Sequence, residues 1–151
     1  YKRVLHDIEG SEVDPLFYGS RAEQEKCLAA ALLDLKKIFK ASEIVVLSMR
    51  NDDFSCAGTS STEQIGGRLI PIRQVKDMQS IPFASIHAFK GLEAPAVIIT
   101  DIESLDQDRT RALLYVGMSR ARIRLFMLMH ESCRNSYNRI LDIGLELTSG
   151  K

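Results

Sequence analysis

At 151 residues, 45% of them apolar, the chain holds one domain's worth of sequence with its own hydrophobic core. Its 20 basic and 20 acidic residues balance, so no global positive field marks the surface as a nucleic-acid binder, and any such contact has to be local. Cys27, Cys56 and Cys133 are odd in number and form no CxxC pair, which argues against a disulfide framework or a metal site and for a reducing, cytoplasmic compartment. No apolar run reaches the roughly 18 residues of a membrane span. The opening at Tyr1 rather than Met points to a piece of a longer protein.

Residues 1–15 are polar and mixed, and read as a poorly ordered lead-in to a domain spanning 16–151, which opens with a short strand around Leu16 to Tyr18. Ser20 with Glu23 fits a capping box, and Leu28, Leu32, Leu35 and Phe39 recur at helical spacing, predicting a helix from Arg21 to Phe39. EIVVLS at 43–48 is a β-branched apolar run, the pattern of a strand buried on both faces. Asn51 to Gly67 is rich in Ser, Thr, Asp and Gly and reads as a loop with room for a short helix, followed by a weak strand at Arg68 to Ile72.

The second half alternates more regularly. FASIH at 83–87 leads into the turn FKGLEA, which Pro95 closes; AVIITDI at 96–102 is a second buried strand; DQDRTRALLYVGMSR at 106–120 is helical. IRLFMLMH at 123–130 is a third buried strand, and SYNRILDIGLEL at 136–147 a closing amphipathic helix. Strands and helices in this rhythm imply parallel crossovers and a doubly wound α/β sheet.

Two segments carry residues suited to chemistry. SIHAFKGLEAPAVIITDI at 85–102 sets Ser85, His87, Lys90 and Glu93 in a turn after a buried strand, at the edge where parallel sheets bind ligands, with Gly91 free to adopt a positive φ. LLYVGMSRARIRLFMLM at 113–129 sets Gly117 and Arg120 at i, i+3, an always-charged fork beside a position without a side chain, which suits a phosphate. Read without a family, Tyr115, Met127 and Met129 are core residues. Arg109, Arg111, Arg122 and Arg124 form a basic cluster that is either a solvated face or a phosphate track.

These segments resemble motifs V and VI of the UvrD/Rep superfamily 1 DNA helicases: Ser-x-His-x-x-Lys-Gly-Leu-Glu, then Tyr-Val-Gly-x-Ser-Arg-Ala, in that order. The resemblance implies the C-terminal, 2A-type motor domain, with a RecA-like (P-loop NTPase-type) three-layer fold and a mainly parallel sheet. It implies that Arg120 is the arginine finger reaching the γ-phosphate of ATP held with Mg²⁺ by an N-terminal RecA-like domain. By the same resemblance Glu93 contacts the ribose region, Ser85 and His87 touch single-stranded DNA, and Lys90 and Gly91 shape the loop between DNA and nucleotide. Gly117 and Arg50, the latter a candidate for the motif IV arginine one residue out of register, join the ATP side.

No GxxxxGK[ST] occurs in the chain, nor an acidic pair that could hold Mg²⁺, so it is not a complete ATPase and is expected to be inactive alone. Asn51 to Gln79 leaves little room for the insertion that carries strand-separating elements in many relatives. The alternatives are a RecA-like regulatory or interaction module, and the motor half of a helicase-nuclease fusion.

Overall fold

The computed structural model describes residues 12–50, 55–59, 68–89 and 91–139. Six strands, β1 (Glu12–Tyr18), β2 (Ile44–Ser48), β3 (Leu69–Pro71), β4 (Ile81–Ser85), β5 (Ala94–Ile102) and β6 (Ala121–His130), form one sheet in the order β1-β6-β5-β2-β4-β3. Every adjacent pair is parallel. Three helices join them: α1 (Arg21–Lys36), α2 (Cys56–Thr59) and α3 (Asp108–Met118). A further helix begins at 134 and is described as far as 139; the rest of the expected 136–147 helix lies outside the described residues.

The central strands read as unbroken apolar runs because both faces of the sheet are covered. Alternation along β2, β5 and β6 divides their side chains between two cores. Val45, Leu47, Val97, Ile99, Leu125 and Met127 pack with Leu114 and Met118 of α3 on one face. Val46, Ile98, Phe126 and Leu128 pack with Leu28, Leu32 and Leu35 of α1 on the other. The α/β class and its three layers are therefore as expected, with a sheet that is parallel throughout the described residues.

Local signals behave as their chemistry dictates. The Ser20 side chain caps α1, accepting from the Glu23 N–H at 3.2 Å. Strand β1 begins at Glu12, four residues before its expected start, because polar Glu12 and Asp14 are held by Arg124 of the neighbouring β6. Pro95 does not close a turn but lies inside β5, and the register slips between Ala94 and Ala96, where proline has no N–H to give the ladder. Tyr115 is half-exposed rather than core: Leu114 and Met118 carry the buried stripe of α3, one helical turn apart, and residue 115 falls off it. Met127 and Met129 are buried.

Among the described residues no helix is long and apolar enough to cross a membrane.

Candidate functional site

In a parallel sheet all strands share one carboxyl edge and one amino edge, and the expected site residues divide between the two. Ser85 ends β4, pairs in register with Ser48 at the end of β2, and is followed by exposed His87. Arg50 follows Ser48 at this same carboxyl edge. Glu93 immediately precedes β5 and Arg120 immediately precedes β6, so both stand at the amino edge, where Ala94 and Ala121 pair. Glu93 is thus not at the carboxyl edge, where the sequence reading set it. Segment 86–93 runs from one edge to the other, a span of about 17 Å for a five-residue strand at 3.3–3.4 Å per residue.

The first half of that crossover is held by hydrogen bonds and burial. The Ser85 hydroxyl accepts from the Ala88 N–H at 3.2 Å, the Phe89 N–H donates to the Ser85 and Ile86 carbonyls, and Ile86 and Phe89 are buried. Gly91 has φ +85°, in the left-handed region. A Cβ there would meet nothing within 4 Å, so Gly91→Ala should cost only the conformational penalty of about 1 kcal/mol, read from a urea unfolding curve. Lys90 lies outside the described residues.

Gly117 has another role than the one its spacing suggested. It is buried and faces inward: a Cβ would stand 2.8 Å from Ile86 Cδ1 and 3.1 Å from Ile99 Cδ1. Its bare Cα lets α3 press against the start of the crossover. Gly117→Ala should destabilise the fold by about 1–2 kcal/mol in the same assay, the crowding of Ile86 outweighing the gain in helix propensity.

At the amino edge the Arg120 guanidinium folds over the end of α3. Nε donates to the Val116 carbonyl at 3.2 Å, Nη1 to the Leu92 carbonyl at 3.3 Å and Nη2 to the Ser119 hydroxyl at 2.9 Å. All these partners are neutral, and among the described residues no carboxylate pairs with Arg120. Its backbone carbonyl accepts from the Ala94 N–H at 2.9 Å, locking the two amino-edge segments together. Glu93 reaches Arg122 at 4.0 Å, both well exposed, a pair of little energetic weight. Leu92, Val116 and Ile123 are exposed apolar residues in the same neighbourhood.

Arg50 is not brought to this edge. It makes an ion pair with Glu103, and its N–H donates to the Ser48 hydroxyl at 2.9 Å. In the basic cluster, Arg111 pairs with Asp108 and with the Leu105 carbonyl, and Arg124 with Glu12 and Asp14.

Sequence reasoning missed a buried polar knot at the carboxyl edge. Asp101, near the end of β5, has φ +64° and is buried. Its carboxylate accepts from the Ser48 hydroxyl at 2.5 Å, the Thr100 hydroxyl and the Cys56 N–H at 3.0 Å, and the Gln24 amide at 3.3 Å. The Asp101 N–H donates back to Gln24 at 2.7 Å. A cleft of about 260 Å³ opens over this knot between the ends of β1, β2, β5 and β6, lined by Tyr18, Arg21, Gln24, Arg50, Glu103 and His130 among others. Burial, reinforced by Asp101, pushes the Tyr18 phenol far above its usual range. The one signal for the knot was a Thr-Asp pair closing an otherwise apolar strand.

Residues 83–128 match the family model of the UvrD-like helicase C-terminal domain. The resemblance read from the two motifs is shown over that span, which contains every expected site residue except Arg50. A solved structure described as the C-terminal domain of a possible DNA helicase from Lactobacillus plantarum WCFS1 is similar at 20% identity, over 78% of this chain and 71% of that one, with a TM-score of 0.49. No curated protein sequence matches the chain.

Proposed function

We propose that this domain is the C-terminal motor half of an ATP-dependent DNA helicase or translocase, completing from its amino edge an ATP site whose phosphate-binding loop and Mg²⁺ ligands belong to an N-terminal RecA-like domain. The observation that carries the reading is the crossover 86–93. It joins Ser85 and His87 at one edge of the sheet to Glu93, beside Arg120, at the other.

An ATP phosphate fits Arg120 in charge and accessibility. The guanidinium is only partly buried and holds neutral acceptors, each worth about 0.5–1.5 kcal/mol, so a phosphate can outbid them. ATP supplies the bond that is cleaved. Arg120 would neutralise charge developing on the transferred group, and Glu93 would orient the ribose side. Exposed Leu92, Val116 and Ile123 suit a surface that closes against the partner domain.

At the carboxyl edge Ser85 and His87 would contact single-stranded DNA, with Lys90 and Gly91 shaping the loop between. Arg50, on that edge, is better suited to the DNA side than to ATP. Gly117 supplies the linkage: because α3 abuts Ile86 without an intervening Cβ, a shift of the Arg120 end of α3 is felt at the start of the crossover. Cycles of cleft closure and opening would then move the DNA contact.

Steady-state hydrolysis by the protein that carries both motor domains tests this. We expect turnover that rises on adding single-stranded DNA, and negligible turnover from the present domain alone. No hydrolysis with or without DNA would turn the reading over in favour of a RecA-like regulatory module.

A further inference from the structure

A groove of about 310 Å³ runs between the start of the crossover and one face of α3, lined by Ile86, His87, Arg109, Ala112, Leu113 and Val116. The α3 residues stand at i, i+3, i+4 and i+7, so they form one stripe of the helix. Its wall is apolar along Ile86, Ala112, Leu113 and Val116, while an imidazole and a guanidinium are its two polar side chains. Of the basic cluster at 109–124, Arg111, Arg122 and Arg124 each hold an acidic partner. Arg109 and His87 are exposed, and among the described residues neither side chain has an ion pair or hydrogen bond.

We propose that this groove takes a nucleobase of the single-stranded DNA that passes His87, with Arg109 beside it as the cation for the base's π-face and the adjacent phosphate. The inference rests on the DNA reading given above and adds to it a subsite and a residue, Arg109. A base offers two apolar faces and a polar rim, which matches an apolar slot with cationic groups. Stacking against apolar walls and an arginine plane is indifferent to sequence, as a moving motor needs. An unpaired arginine next to an apolar slot also gives the charge complementarity that a neutral peptide or lipid tail would not use. The groove ends at Val116, whose carbonyl holds Arg120 Nε, so a base seated there abuts the helix turn that carries the nucleotide-facing arginine.

The test is fluorescence anisotropy on the 151-residue chain at low salt, with a labelled oligothymidylate and an equally long abasic strand carrying the same phosphates. Ala112 is exposed on the groove wall, so Ala112→Leu fills the slot without changing charge or disturbing the core. We expect wild type to bind the base-bearing strand about tenfold more tightly than the abasic one, and Ala112→Leu to abolish that difference while abasic binding stays constant. Arg109→Ala should weaken both strands, the base-bearing one more. Equal affinity of wild type for the two strands, or a preference that survives Ala112→Leu, overturns the base subsite and leaves the DNA reading standing. Binding to neither strand removes both.

Discussion

Replacing Arg120 by alanine, in the protein that carries both motor domains, is expected to lower kcat of DNA-stimulated ATP hydrolysis by about a thousandfold or more, with ATP affinity largely retained. The asymmetry follows from where the guanidinium acts. Its ground-state partners are neutral oxygens of Val116, Leu92 and Ser119, so it is not needed to neutralise a carboxylate in the fold. On the proposed reading it becomes valuable when negative charge gathers on the transferred phosphoryl group, and an interaction made chiefly in the transition state appears in kcat rather than in binding. Arg120→Lys should recover only a small part of the rate, since an ammonium lacks the planar fork.

Arg120 also ties down the end of α3, so the substitution needs a structural control. Loss of hydrogen bonds to partly exposed neutral acceptors should cost about 1 kcal/mol, visible as a small fall in the unfolding midpoint. A variant that is correspondingly less stable but turns over at the wild-type rate would reduce Arg120 to a helix cap. It would shift the weight to a regulatory or interaction module. The pairing of stability with turnover separates the two roles, because a cap affects only the first.

Legibility in the sequence followed how local the determining physics was. The central strands were readable because burial on both faces leaves no polar residue in IVVL or AVII, and α1 because its cap and its leucines lie within one segment. Boundaries failed where a distant partner decides. β1 reaches back to Glu12 through Arg124, more than a hundred residues later in the chain, and β5 runs through Pro95 because a bulge absorbs the missing donor. Motif spacing singled out Ser85, His87, Glu93 and Arg120 as candidates but not their division between opposite edges, which follows from the strands all running parallel. Gly117 was read for what it leaves open, whereas its inward Cα admits Ile86. For Asp101 the Thr-Asp pair marked a polar interruption of the strand but not its partners, since Gln24, Ser48 and Cys56 are separated from it by 77, 53 and 45 positions.

That knot underlies the second large expected effect: Asp101→Ala should destabilise the domain by about 3 kcal/mol or more, from urea midpoints at unchanged m-value. Four donors converge on the carboxylate, and truncation takes that acceptor from the buried Ser48 hydroxyl and Gln24 amide. Alanine also inherits φ +64°, a conformation that costs an L-residue about 1–2 kcal/mol and that aspartate and asparagine tolerate better. Asp101→Gly removes the network but not the backbone fit, so it should be less damaging than alanine by that margin. Asp101→Asn keeps the fit and one acceptor oxygen, and should lose least. A stability within 0.5 kcal/mol of wild type for Asp101→Ala would show that water replaces the carboxylate at no cost and that the knot holds nothing together. The expected loss has a functional consequence. Asp101 holds Ser48, and the Ser48 hydroxyl in turn holds the Arg50 N–H, so loosening the knot should weaken DNA binding at the carboxyl edge before it alters the Arg120 end of α3.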